Sequence, residues 1–236
     1  MKKIVVLTGA GISAESGLQT FRDTDGLWEG HDVQEVASPE GYQANPELVL
    51  DFYNQRRRQL RTVAPNKAHC NLAELEQHFD VEIITQNVDD LHERAGSSKV
   101  MHLHGELLKV RSTVDEQLVL PWDKALVLGD LCPKGSQLRP HIVWFGEMVP
   151  LLEKAIEITQ KADILVIIGT SMQVYPAASL VNYVKPNTAI YFIDPKPSVM
   201  ETQFHNLTII KAVASSGTDQ LINILNEKKK LSKIKK

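Results

Sequence analysis

Cysteine is nearly absent: Cys70 and Cys132 are the only two in 236 residues, which excludes a disulfide framework. Long hydrophobic runs are missing too, since no apolar stretch approaches the roughly 18 residues that a bilayer crossing requires. Met1-Lys2-Lys3 leads straight into a strand pattern rather than the apolar core of a secretion signal. The expectation is a cytoplasmic protein with no membrane contact. Neither sign of charge dominates: 26 Lys and Arg oppose 29 Asp and Glu, and the net charge of -3 gives no general pull toward nucleic acid. The one basic tract, Lys228-Lys229-Lys230 with Lys233, Lys235 and Lys236, reads as the solvated end of a helix. No internal repeat or low-complexity linker interrupts the chain. What is present is ordinary for a globular enzyme, with 43% hydrophobic and 23% charged residues in a length that suits one large domain with a small insertion.

Apolar runs at residues 3–8, 81–85, 164–168 and 189–193 read as strands covered on both faces. Helical patterns at 47–63, 67–78, 150–161, 177–183 and 218–229 separate or follow them. That alternation predicts an α/β fold, a doubly wound Rossmann-like parallel sheet with helices on both faces. Two segments break the pattern. Residues 107–137 hold short alternating runs punctuated by Pro121, Gly129, Pro133 and Gly135, which predict a small antiparallel module. Residues 25–63 predict a mostly helical insertion, leaving 1–24, 64–106 and 138–236 as the large part of a single domain.

Directly after the first strand, Gly9, Gly11 and Ala14 fit the G-x-G-x-x-G/A turn, where small residues let backbone approach a dinucleotide pyrophosphate. A hydride-transferring enzyme needs a second strand ending in Asp or Glu about 20 residues on. The corresponding stretch, residues 21–30, is polar and Gly-containing with no strand pattern, and reads as a loop laid over the cofactor. The chain therefore reads as a dinucleotide binder that does not pass a hydride.

The motifs GAGISAESGLQTFR, TQNVDDLH, HLHG, WFGE and GTS occur in the order seen in sirtuins, the NAD-dependent protein lysine deacylases, and the match runs through nearly the whole chain. The resemblance implies NAD as a consumed co-substrate and acyl-lysine proteins or peptides as partners. It implies attack by the acyl oxygen at C1′ of the nicotinamide ribose, then release of nicotinamide, free lysine and O-acyl-ADP-ribose. His104 matches the family's catalytic His, a base with a pKa suited to neutrality; its plain alternative is a structural His bonded to a backbone carbonyl. His102 reads as structural. Gln86 and Asn87 are expected beside the reacting ribose and nicotinamide, with Val88 and Asp89; Asn87 or Asp89 reads equally as a helix cap. The remaining cofactor contacts expected are Gly9, Ala10, Gly11, Ser13, Ala14, Glu15, Thr20, Phe21, Arg22, Trp28, Gly169, Thr170, Ser171, Asp194, Pro195, Lys196 and Ser216. Of these, Thr170-Ser171 and Asp194-Pro195 read also as simple turns.

For the acyl substrate, Val143, Phe145, Gly146 and Glu147 resemble the segment whose backbone pairs with a bound peptide as an added strand, and Val174 is expected beside it. Tyr53 and Arg56 are three apart on a predicted helix and share a face. They match the Tyr-x-x-Arg pair of the desuccinylase and demalonylase branch, where a phenol and a guanidinium can meet the far carboxylate of a succinyl or malonyl group. Ala37 matches a small residue that widens that pocket. The competing reading is that Arg56, Arg57, Arg58 and Arg61 form an exposed basic face. Most of the family also carries four zinc cysteines in the small module. Here Ser112 and Val114 or Asp115 occupy the first pair's region and only Cys132 remains near the second, so no zinc is expected. Packing by Leu118, Leu120, Trp122, Leu126 and Leu128 should hold the module instead, and Cys70 reads as a buried helix residue. Two other functions share these motifs: mono-ADP-ribosyl transfer, and a non-catalytic sensor of NAD or ADP-ribose.

Overall fold

The computed structural model describes residues 1–19, 27–28, 30–200, 202 and 204–234. Six strands form one parallel sheet: β1 (Lys3–Thr8), β4 (Asp80–Thr85), β5 (Val100–His102), β9 (Ile164–Ile168), β10 (Ala189–Ile193) and β11 (Leu207–Ile210). Their order, β11-β10-β9-β1-β4-β5, reverses at β1, so the chain runs outward from the centre in both directions. In such sheets ligands bind outside the carboxyl ends of the strands where the order reverses. Here that point lies between β1, β4 and β9.

Period-two alternation sends Ile4 and Val6 to one face and Val5 and Leu7 to the other. The first face packs under α4 (Lys67–Leu75) and α7 (Ala214–Ile234), through Ala68, Leu72, Leu221 and Leu225. The second packs under α6 (Leu152–Thr159) and a 3-10 helix (Ala177–Tyr183), through Ala155, Ile158, Leu180 and Val181. Each fully buried aliphatic side chain contributes about 1.5–3 kcal/mol, and β1, β4, β9 and β10 are covered in this way on both sides. Among the described residues no helix is long and apolar enough to cross a membrane.

Before α4 come a short hairpin of β2 (Leu27–Trp28) with β3 (His31–Asp32), then α1 (Val33–Val36), α2 (Pro39–Ala44) and α3 (Pro46–Leu60). Asn45 caps α3 by accepting from Leu48 N, and Pro46 supplies a first-turn proline. A three-stranded antiparallel sheet, β7-β6-β8, is built from β6 (Gly105–Ser112), β7 (Val119–Pro121) and β8 (Leu138–Ile142). Its third strand lies past residue 137, beyond the expected end of the small module. Leu126, Leu138, Val110 and Cys132 are its buried centre, with Leu118, Leu120 and Trp122 packed against them. Leu128 is not part of that packing; it is exposed. Cys70 is exposed too, because α4 turns Ala68, His69, Asn71, Leu72 and Leu75 inward and leaves Cys70 outside. Nor is the arginine row of α3 one exposed face: Arg57 is buried, donating Nε to Leu107 O at 3.0 Å and Nη1 to Asn54 Oδ1 at 2.6 Å. Asn54 in turn accepts from Leu126 N at 2.8 Å, so α3 and the small sheet are joined by polar as well as apolar contact.

Candidate active site

A cavity of about 720 Å³ opens at the carboxyl ends of the central strands. Its walls come from the Gly9-Ala10-Gly11 turn, the segment 86–89, His104, the turn 143–147, the loops after β9 and β10, and α3. A volume of several hundred Å³ suits a dinucleotide together with part of a second substrate.

The glycines place backbone against backbone. Gly11 N–H donates to Gly169 O at 2.8 Å, and a Cβ on Gly11 would fall 2.6 Å from Gly169 Cα. Gly169 itself has a φ of +62°, and its Cβ would fall 2.4 Å from Ile12 N. The turn after β1 and the turn after β9 therefore fit only without side chains at their crossing.

Behind that crossing lies a buried polar chain. His69 Nδ1 accepts from Asn66 N at 3.3 Å, which puts its proton on Nε2, facing Ser13 Oγ at 3.5 Å. Ser13 Oγ donates to Asp89 Oδ2 at 3.0 Å and accepts from Asn87 Nδ2 at 3.2 Å. Burial pushes His69 down to about 4 and raises Asp89. Asp89 Oδ1 also accepts from the N–H of Leu91, the first residue of α5 (Leu91–Arg94), at 3.1 Å while lining the cavity; the N-cap position itself is Asp90.

His104 projects from the residue before β6. Its Nδ1–H donates to Gln86 O at 3.0 Å, which leaves the Nε2 lone pair as the basic atom. Burial lowers its pKa, with the Gln86 carbonyl partly opposing the shift, so the ring is neutral near pH 7. Gly105 makes the approach possible: its φ is +84°, and a Cβ would stand 2.0 Å from His141 O. Gln86 Nε2 donates to Thr170 Oγ1 at 3.1 Å, linking the loops after β4 and β9.

Tyr53 and Arg56 both belong to the cavity wall, with Trp28 and Ala37. Tyr53 is closed to solvent, and Trp144 Nε1 donates to its hydroxyl at 3.0 Å. Burial raises the phenol pKa far above its usual range, so it keeps its proton. Trp28 stands edge-on to Phe52 at 5.0 Å and to Tyr53 at 6.1 Å. Arg56 is half-buried with its guanidinium 5.2 Å from the Phe52 ring centroid.

Residues 9–176 match the family model described as Sir2 family. The chain belongs to the Sir2 family. An NAD-dependent protein deacylase of Helicobacter pylori (strain ATCC 700392 / 26695) is 67% identical over 196 residues, 83% of this chain and 86% of that protein. One of Bacteroides thetaiotaomicron is 53% identical over 231 residues, covering 95% of this chain and 98% of its own. Among solved structures, a Sir2 homologue–NAD complex superposes with a TM-score of 0.85 at 42% identity, over 96% of this chain and 90% of that one. A mutant Sir2 homologue–ADP-ribose complex gives 0.86 at 41% identity, over 98% and 94%.

Within this Sir2 fold the described site residues gather on one cavity with a single exception. Ala14, Val88, Ser171, Val174, Asp194, Pro195 and Lys196 line it alongside those above. Asp194 Oδ1 also accepts from Lys196 N at 2.8 Å, so the turn and the wall are the same structure. Glu15 lines the cavity while its carboxylate accepts from Ser215 N and Oγ, tying the turn after β1 to the start of α7. Ser216 is the exception: it is exposed, on the outer side of the first turn of α7, and Val213 and Ala214 line the wall instead. Thr20, Phe21 and Arg22 lie outside the described residues.

Residues 143–147 form a turn rather than a strand. The N–H groups of Val143, Phe145 and Glu147 are bonded to His104 O, Ala37 O and Trp144 O, and Trp144 N–H to Glu147 Oε2. Glu147 is a brace as well, held by Arg111 at 3.1 Å and Arg139 at 2.6 Å, which keep its carboxyl below the usual range against the effect of burial. Trp144 was readable in WFGE but not as a partner of Tyr53, because nothing in the sequence joins two residues of separate elements. The His69–Ser13 contact was hidden for the same reason. Among the described residues, no group of three or more His, Cys, Asp and Glu side chains could hold a metal ion.

Proposed function

We propose that the chain is an NAD-dependent protein lysine deacylase that removes succinyl and malonyl groups, and also acetyl, giving nicotinamide and O-acyl-ADP-ribose. One observation carries the acyl preference: Tyr53 and Arg56 reach the same cavity as His104 and Asn87. A guanidinium and a protonated phenol in a half-buried wall favour a carboxylate-tipped acyl group over a methyl-tipped one. Tyr53 is closed to solvent, so a succinyl group reaches its hydroxyl as side chains on the cavity floor give way.

The backbone of Gly9, Ala10 and Gly11 and the hydroxyls of Thr170 and Ser171 would hold the phosphates and adenosine side of NAD, with Asp194 toward a ribose. When bound, NAD supplies the electrophilic ribose carbon and nicotinamide as the leaving group. Asn87, fixed through Ser13, orients the nicotinamide side. His104 Nε2 takes a proton from a ribose hydroxyl, and its Nδ1 bond to Gln86 O steadies the imidazolium that results. The wall formed by Trp28, Ala37 and Phe145 shields the reacting centre from water.

The test is mass spectrometry of one peptide carrying acetyl-, malonyl- or succinyl-lysine, incubated with and without NAD. Faster NAD-dependent loss of succinyl or malonyl supports the reading. Loss of acetyl alone keeps the deacylase and removes the Tyr53–Arg56 assignment. Turnover of none points to ADP-ribosyl transfer or a sensor.

A further inference from the structure

His102 ends strand β5, two residues before His104, and is buried. Its Nδ1 is 2.9 Å from Asn87 O and its Nε2 is 2.8 Å from Glu93 Oε1. Both partners are acceptors with no proton to give, so the ring satisfies both only with two N–H groups, as an imidazolium. His104 differs: it has one acceptor partner and keeps a lone pair. The two histidines therefore hold consecutive carbonyls, those of Gln86 and Asn87, in opposite protonation states. Asn87 N–H donates to Thr85 Oγ1 at 3.0 Å, so both peptide planes flanking Asn87 are anchored.

We propose that His102, kept doubly protonated between Glu93 and the Asn87 carbonyl, is a positioning residue that fixes Asn87 and Gln86 for catalysis by His104. The proposal rests on the deacylase reading above. Its surroundings leave Glu93 as the counter-ion. From the neighbouring elements, Glu106 on β6 is paired with Lys109 at 2.6 Å, Glu82 on β4 with Lys3, and Lys99 before β5 with Asp80 at 2.6 Å. His141 on β8 and Lys154 on α6 line the same polar recess, while His92 and Asp89 face the ring from within. Burial is the largest single influence and disfavours the cation, but the bond to Glu93 and its charge, the Asn87 carbonyl and the Glu106 charge together outweigh it, so the ring holds its proton above the usual histidine value.

When His102 does lose a proton, the one that remains goes to the stronger acceptor, the Glu93 carboxylate. The Nδ1 lone pair then faces Asn87 O at 2.9 Å and repels it, which frees the peptide. Activity should therefore fall on the alkaline side as His102 titrates.

Imidazole ¹⁵N spectra of the protein read protonation without turnover, and at about pH 6.5, where an ordinary histidine is half-protonated, His102 should be mostly doubly protonated while His104 is mostly neutral with its proton on Nδ1. Turnover of an acyl-lysine peptide with NAD then reads the role. His102→Gln reaches toward Glu93 but not Asn87 and should lower kcat about tenfold or more, whereas His102→Asn, whose amide sits near Nδ1, should recover it to within about threefold. Glu93→Gln can donate to Nε2, leaves the remaining proton on Nδ1, and should abolish the alkaline decline. A neutral His102 in the native protein, equal losses in the Gln and Asn variants, or an alkaline decline unchanged by Glu93→Gln overturns the proposal. A native protein that turns over no acyl peptide while the spectra read as expected overturns the deacylase reading on which the role rests.

Discussion

Trp144 Nε1 donates to the Tyr53 hydroxyl at 3.0 Å, so the phenol accepts from the protein and keeps its own proton to offer to a ligand. Trp144 is itself held, with the Arg139 guanidinium 3.3 Å from its ring centroid. A rigid donor behind the phenol makes its direction part of specificity. Tyr53→Phe should lower kcat/KM on succinyl peptide by about tenfold, one to two kcal/mol for a charge-assisted hydrogen bond, with deacetylation changed less than about threefold. Arg56→Met should have the larger effect on succinyl, about a hundredfold. Equal losses on succinyl and acetyl peptides, measured side by side, would remove both residues from acyl recognition.

His104→Ala should abolish deacylation and leave NAD affinity within about threefold by calorimetry, because the base acts on the reaction rather than on the dinucleotide's phosphates. The native acid limb should be displaced as well. Burial lowers the His104 pKa from 6.5, so the neutral base persists as pH falls, and kcat/KM should decline only below that value. An acid limb centred above 6.5 would mean that another group limits the rate.

The parallel sheet was legible because its strands are buried on both faces and read as unbroken apolar runs, as Ile164–Ile168 and Ala189–Ile193 do. The edge strands were not: Val100–His102 is only three residues long, and in Leu207–Ile210 only Ile210 is buried. The cavity residues were legible where a motif joins neighbours in sequence, as at Gly9 to Ala14 or Gln86 to Asp89. Contacts between separate elements, such as Tyr53 with Trp144 and His102 with Glu93, carry no local pattern and needed the fold. Ser216 shows the converse, since a loose motif near a helix start does not say which side of the first turn faces inward.

His69 makes stability pH-dependent. Its folded pKa is about 4 against an ordinary 6.5, so between those values the unfolded chain binds a proton that the folded chain refuses. Stability should fall as pH drops through that window, by about 3 kcal/mol across the whole of it. His92, buried beside it with ring centroids 4.9 Å apart, is lowered too and should add to the slope. Denaturant unfolding at several pH values should show His69→Gln less stable at neutrality, having lost bonds to Asn66 and Ser13, but flatter below 6.5. Parallel curves for the variant and the native protein would show that His69 does not carry the acid loss.

In the small module, hydrogen bonds stand in the region where the resemblance to the family implies zinc cysteines. Ser112 Oγ accepts from Val114 N and Asp115 N, each at 3.2 Å, and Cys132 Sγ accepts from Lys134 N at 3.3 Å. The two turns meet through Ser112 Oγ and Ser136 Oγ at 2.8 Å, with Cys132 Sγ 3.4 Å from Ser112 Oγ and 3.1 Å from Ser136 Oγ. One sulfur and two hydroxyls are a poor tetrahedral set for zinc but a well-satisfied hydrogen-bonded cluster, in which the Ser112 and Ser136 hydroxyls lower the Cys132 thiol to about 7. Incubation with a strong chelator should therefore leave both the melting temperature and the deacylation rate unchanged. Ser112→Ala should instead lower stability by about 1–3 kcal/mol, because it leaves the Val114 and Asp115 N–H groups without their acceptor and the Cys132 thiol with Ser136 alone. A melting temperature that drops on chelation and returns with added zinc would place a metal in the module and reassign Cys132 as a ligand.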